Sequence, residues 1–205
     1  MNRRLLVAVV LATLLTASRT MAQGEGRPLQ EISVQGTGFF TKDSNGNGID
    51  QHSTHTGGFL VGYRYHFNRW LAADANYGFA RNTQQNFTST GPFNVQANVH
   101  QAMGALVVTI PHSILKLNPY LLAGAGALVF DPTGNLAGFV PGAASQTKAA
   151  FVYGGGVDYD LTRHFSVRLE YRGLVYERPD FGVETLHSGA TTHTAEPSAG
   201  FTFRF

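Results

Sequence analysis

The chain has no cysteine, one tryptophan and only three lysines, and charged residues make up 14% of it. Without thiols, neither a disulfide framework nor a thiolate metal site can form. Lys42, Lys116 and Lys148 are far apart and no basic cluster exists, which excludes a nucleic-acid-binding face. A membrane-spanning helix needs about 20 apolar residues. The longest mostly apolar run, residues 5–15, is eleven residues long. Lys and Glu, which usually solvate helix surfaces, are scarce.

That short apolar run has another use. Asn2, Arg3 and Arg4 precede it and Thr20-Met21-Ala22 follows it, the pattern of a cleaved export signal. The expected leader is residues 1–22, with no cysteine after it to carry a lipid. The mature chain, residues 23–205, is then 183 residues long and suits one domain. Losing Arg3, Arg4 and Arg19 leaves twelve basic against thirteen acidic residues, a net charge of −1.

The composition is rich in strand and turn formers, with 24 Gly, 15 Phe and 8 Tyr. Period-two alternation marks eight strands, over residues 30–42, 57–67, 70–80, 93–110, 119–130, 148–160, 163–176 and 191–205. In the seventh, Phe165, Val167, Leu169, Tyr171 and Val175 oppose Ser166, Arg168, Glu170 and Arg172. The last places Phe201, Phe203 and Phe205 opposite Thr202 and Arg204. In the fourth, Phe93, Val95, Ala97, Val99, Met103, Ala105 and Val107 form the expected apolar face, opposed by Asn94, Gln96, Asn98 and His100. Residues 119–130 are apolar on both sides and match a buried helix as well as a strand; their two glycines and their neighbours favour the strand.

Short connections at 68–69, 111–118 and 161–162 alternate with long ones at 43–56, 81–92, 131–147 and 177–190. An apolar face is costly in water and a charged face is costly in a dry core. An all-β, eight-stranded, antiparallel up-and-down transmembrane barrel resolves both, with lipid outside and a polar filling inside. Short turns then face the periplasm and long loops the exterior. The expected lumen cluster brings Arg64, Arg168, Arg172 and Arg204 to Asp74, Asp158, Glu170 and Glu196. Tyr63, Tyr65, Phe67, Tyr77, Tyr159, Phe165, Tyr171 and Tyr176 are expected to form the interfacial girdles.

Several segments carry a family likeness: Gly62-Tyr63-Arg64-Tyr65-His66-Phe67 with Trp70-Leu71, Pro119 to Gly126, Arg168-Leu169-Glu170-Tyr171-Arg172, and Ala199-Gly200 leading into Phe201 to Phe205. In this order and spacing, residues 30–205 resemble the outer-membrane β-barrel domain family. That family includes the OmpA-type transmembrane domain and the opacity-type surface proteins of Gram-negative bacteria. The resemblance implies that Phe201, Phe203 and Phe205 form the C-terminal signal read by the barrel assembly machinery. Outer-membrane lipid and that machinery are the implied partners; no surface ligand is identified. OmpA continues into a peptidoglycan-binding domain, whereas this sequence stops at the barrel, so a cell-wall tether is not carried over.

Other chemistry is weaker. Asp43-Ser44-Asn45-Gly46-Asn47-Gly48 matches the first half of a calcium loop, but Thr54 stands where the bidentate Glu belongs, and an Asn/Gly-rich surface loop is the simpler reading. The eight histidines, His52, His55, His66, His100, His112, His164, His187 and His193, are too dispersed for a metal site. Barrels that deacylate lipid A use a His and a Ser two apart followed by Asn; His164-Phe165-Ser166 is followed by Val167 and lies at a periplasmic turn, and His187-Ser188 is adjacent rather than spaced. Gly124-Ala125-Gly126 and Gly154-Gly155-Gly156 lack the features of a phosphate loop.

The expected protein has no catalytic residue, cofactor or metal. It is a structural or surface-interaction barrel acting through four loops, the alternative being a narrow pore for ions or small solutes. A soluble lipocalin-like barrel would need the opposite polarity. Deleting Phe205 should lower outer-membrane levels more than deleting residues 43–48, as read by quantitative blotting of membrane fractions; equal levels would show that the terminal aromatic is unimportant.

Overall fold

A computed structural model describes residues 29–41, 44–46, 49–53, 56–88, 91–110, 116–132, 145–177 and 191–205, without the side chains of 44–53, 82–96 and 132. The strands are β1 (Gln30–Thr41), β2 (Ser44–Gly46), β3 (Ile49–Ser53), β4 (Thr56–His66), β5 (Leu71–Thr88), β6 (Gly91–Thr109), β7 (Leu117–Pro132), β8 (Gln146–Asp160), β9 (Phe165–Glu177) and β10 (Thr191–Arg204). Eight of them form the wall in the order β1-β4-β5-β6-β7-β8-β9-β10, and β10 pairs back onto β1 to close it. Every pairing is antiparallel. Closure leaves the wall no free edge, and eight strands enclose a space that side chains can fill.

At one end lie the short turns. In the first, Asn68 Oδ1 accepts from the backbone N–H of Trp70 at 2.8 Å and Leu71 at 2.9 Å. In the third, Thr162 Oγ1 accepts from Phe165 N–H at 3.0 Å. Both are side-chain mimics of a backbone turn, the reason Asn and Thr suit these positions. The two ends of the barrel sequence meet here, where Phe205 N–H donates to Gln30 O at 2.9 Å. Outside this rim, Phe203 packs against Phe165 at 5.0 Å and Phe205 at 6.0 Å between ring centroids, and Tyr65 meets Phe67 edge-on at 5.5 Å. They make a belt of the kind that sits at a membrane interface.

At the other end, β5 and β6 continue as one hairpin from Arg81↔Asn98 up to Thr88↔Gly91. Most of the segment expected as the long loop 81–92 is therefore paired strand. Its polarity suggested a loop, but main-chain pairing does not require an apolar face. β2 and β3 form a further small hairpin, and β3 extends the sheet beside the upper part of β5, from Asp50↔Phe87 to Ser53↔Gln84. Residues 133–144 and 178–190, from the other two long connections, lie outside the described residues.

Two expectations about facing are corrected. On β6 the expected apolar face points inward: Ala97, Val99, Met103, Ala105 and Val107 are buried, while Leu106 and Val108 are 58% and 50% exposed and His100 faces out. The cause is register. Residues directly opposite in an antiparallel pair point to the same side, and Asp74↔Ala105 and Asn76↔Met103 tie the inward face of β5 to these residues. Tyr176 likewise leaves the expected girdle, pointing inward to bond Thr194 Oγ1 at 3.0 Å and to pack against Phe130 at 5.8 Å.

The interior therefore has two layers. Charged and amide side chains dominate the half nearer the short turns, with Ala72, Val107 and Leu122 beside them. Towards the long-loop end, Phe39, Val99, Leu128, Phe130, Val152, Leu174 and Tyr176 belong to an apolar cluster. Leu106→Arg should cost about 2 kcal/mol in lipid vesicles, as expected for a cation forced against hydrocarbon, whereas Leu106→Phe should be neutral; urea titration of the folded fraction reads both.

Candidate functional site

Alternation along the wall carries one polar side chain inward at every second residue, and these meet in the lumen. Arg168 from β9 donates Nε to Asp158 Oδ1 at 2.7 Å and Nη2 to Asp158 Oδ2 at 2.8 Å, a two-pronged pair with neighbouring β8. Its Nη2 also reaches Glu31 Oε1 of β1 at 2.7 Å. Arg64 from β4 donates Nε to Asp74 Oδ2 of β5 at 2.9 Å, and its other nitrogens lie 3.3 Å from Glu31 and 3.6 Å from Glu170.

Arg172 donates Nε to Glu170 Oε1 at 2.5 Å and Nη1 to Asn76 Oδ1 at 2.6 Å. Arg204, at the rim, donates Nε to Glu31 Oε2 at 3.0 Å, lies 3.3 Å from Asp158 Oδ2 and bonds Asp160. Arg64, Arg168 and Arg172 are buried to 2% exposure or less, a burial that charges tolerate only when paired.

Of the lumen residues expected from sequence, Arg64, Asp74, Asp158, Arg168, Glu170, Arg172 and Arg204 form one connected network. Glu196 is buried beside it but accepts its hydrogen bond from Gln101 Nε2 at 2.7 Å.

Glu31, Asn76, Tyr120 and Asp160 join the network but were missing from the sequence-based set. Glu31 serves three arginines; its inward parity on β1 was visible, yet its rank as a hub depends on which strands close against β1. Tyr120 donates its hydroxyl to Glu170 Oε2 at 2.5 Å, and its ring lies 4.4 Å under the Arg64 guanidinium and 5.3 Å from that of Arg168. No sequence signal singled it out, because residues 119–130 lack contrast. A Cβ on Gly156 would lie 2.6 Å from the Tyr120 hydroxyl and 2.5 Å from Leu169 O, so this glycine leaves room for the phenol.

The features weighed for other chemistry are dispersed. His164 stacks on Phe203 outside the barrel at 6.3 Å, whereas Ser166 is fully buried inside, so they do not form a nucleophile–base pair. His187 and Ser188 lie outside the described residues, as do Asp43, Asn47, Gly48 and Thr54 of the calcium-like segment. The backbone of Ser44–Gly46 pairs with Ile49 to Gln51 as a ladder rather than wrapping an ion. His100 and His193 face outward and bond Tyr77 at 2.6 Å and Tyr153 at 2.8 Å, and His66 lies 3.5 Å from Glu31. Among the described residues, no three His, Asp or Glu side chains are grouped to hold a metal.

Removing one partner of a buried ion pair costs about 3–5 kcal/mol. Glu31→Ala, which takes one of their acceptors from three guanidiniums and leaves the lumen with excess positive charge, should lower stability in urea by about that amount. Asp160→Asn, at the hydrated rim, should cost less than about 1 kcal/mol.

No curated protein sequence matches this one significantly. Similar solved structures include the outer membrane protein OprG from Pseudomonas aeruginosa (TM-score 0.61, 14% identity, 88% of this chain and 98% of OprG). They also include Neisserial surface protein A (TM-score 0.60, 15% identity, 88% and 100%) and Ail, the attachment invasion locus protein of Yersinia pestis (TM-score 0.51, 16% identity, 88% and 100%). At such identities the likeness is one of fold. The outer membrane protein β-barrel domain model matches residues 7–205, and with the closed barrel, its outward apolar wall and its charged lumen, this places the chain in the outer membrane protein β-barrel domain family.

Proposed function

We propose that the chain is a non-enzymatic outer-membrane barrel with a blocked lumen, whose role is structural or surface-interacting and resides in its four long connections. One observation carries this reading: side chains tie opposite walls together across the interior. In a ring of eight, β5 faces β9 and β6 faces β10. Arg172 bonds Asn76 across the first diameter and Gln101 bonds Glu196 across the second. Val99, Phe130, Val152 and Leu174 of the apolar cluster lie on the long-loop side of these ties. Ions would have to break the charge-assisted Arg172–Asn76 bond and then cross an apolar layer, both costly.

The remaining elements follow the same reading. Residues 1–22 act as a cleaved export signal, residues 23–205 form the mature barrel domain, and the short turns face the periplasm. Phe201, Phe203 and Phe205 point outward on the closing strand, a placement that supports their role as the assembly signal. Purified protein reconstituted in planar bilayers should give no stable unitary conductance; such a conductance would establish the narrow pore instead. The protein should also require detergent for extraction and migrate differently on gels before and after heating, and solubility without detergent would refute the membrane assignment.

A further inference from the structure

Among the described residues, the lumen holds five buried carboxylates, Glu31, Asp74, Asp158, Glu170 and Glu196, against four arginines. The first four acids each lie within 4 Å of an arginine nitrogen. Among the described residues, Glu196 has no such ion pair. Arg172 stands directly opposite it in the β9–β10 register, but its Nε and Nη1 are committed to Glu170 and Asn76. Phe39, Thr37 and Gln35 line the inward face of neighbouring β1, Gln101 reaches across from β6, and Leu128 is the register partner of Gln101 on β7. Arg172 therefore acts on Glu196 only from beyond ion-pair distance, with the Glu170 carboxylate opposing it and the Thr37 hydroxyl nearby.

Gln101 and Glu196 are 3% and 1% exposed. Gln101 Nε2 donates to Glu196 Oε1, yet Gln101 Oε1 and Glu196 Oε2 both lack a hydrogen-bond partner. An ionised carboxylate and an amide carbonyl are both acceptors and cannot satisfy each other. A neutral carboxyl can, because its hydroxyl donates to the amide oxygen while the amide N–H donates to its carbonyl. The same proton removes a charge from a buried site whose nearest guanidinium, Arg172, is bonded to Glu170 and Asn76 instead. Gly78 supports the geometry, since a Cβ there would collide with the Gln101 side chain.

We infer that Glu196 holds a proton on Oε2 and forms with Gln101 a cyclic acid–amide pair that latches β10 to β6 across the lumen. The site's ligand is a proton, taken up from water and returned to it as hydroxide rises. Loss of the proton sets a carboxylate against the amide oxygen and leaves one hydrogen bond of two. The inference rests on the fold and not on the surface role proposed above.

The test compares thermal unfolding of wild type, Glu196→Gln, Glu196→Ala and Gln101→Leu in detergent micelles from mildly acidic to alkaline pH, followed by heat-modifiable gel migration. Glutamine at 196 preserves both hydrogen bonds as an amide–amide pair, so E196Q should unfold at or above the wild-type temperature at neutral pH, with E196A and Q101L below both. A folded state that binds more protons than the unfolded state loses stability as pH rises. Wild type should therefore fall towards E196A on the alkaline side while E196Q does not. Infrared spectra of wild type should contain a protonated-carboxyl carbonyl band that is lost in E196Q and at alkaline pH. Failure of E196Q to fold, a neutral-pH loss equal to that of E196A, matching pH profiles for wild type and E196Q, or absence of the band would each overturn the inference.

Discussion

An eight-stranded closed sheet has an interior about one side chain deep from every wall, so a charge placed there has to be answered by another inward side chain, in most cases from another strand. That constraint organises the molecule. Arg168 bonds a neighbour on β8 and then Glu31 two strands away on the ring; Arg64 bonds Asp74 next door and lies over Tyr120 from β7. The guanidinium plane suits this task, since it can serve several acceptors at once in a fixed fork. Lysine would offer a point charge, and none of the described lumen network uses one.

The outer surface obeys a simpler rule. Facing lipid requires apolar bulk but no partner, so its residues were legible one at a time: the alternation of Phe165, Leu169 and Tyr171 with Ser166, Arg168 and Glu170 sets the two faces of β9 without further information. The same held for β1, β4, β5 and β10. It failed on β6 and β7, where Ala105 and Val107 differ little in polarity from Leu106 and Val108. There the decision belongs to the register with β5, a non-local quantity that no window of sequence contains.

The lumen was legible in composition and obscure in wiring. Parity along each strand identified which charges point inward, but the choice of partners depends on how strands are staggered around the ring. Glu31 shows the difference: its inward position could be read from its own strand, while its service to Arg64, Arg168 and Arg204 depends on β4, β9 and β10. The apolar layer near the long loops was obscured for a related reason, since residues such as Val99 and Leu128 would satisfy lipid equally well.

The same wiring has a kinetic consequence. Glu31 meets Arg168 across 137 residues of chain and Arg204 across 173. Loops that long must close before the contacts can form, which makes the topology one of high contact order and intrinsically slow assembly. The centre of the ionic network thus depends on the seam between the first and last wall strands, and until that seam zips shut its charges remain hydrated. The interior that stabilises the finished barrel therefore offers little to a half-built one, and the partly formed sheet must rely on its pairing edges to stay on course.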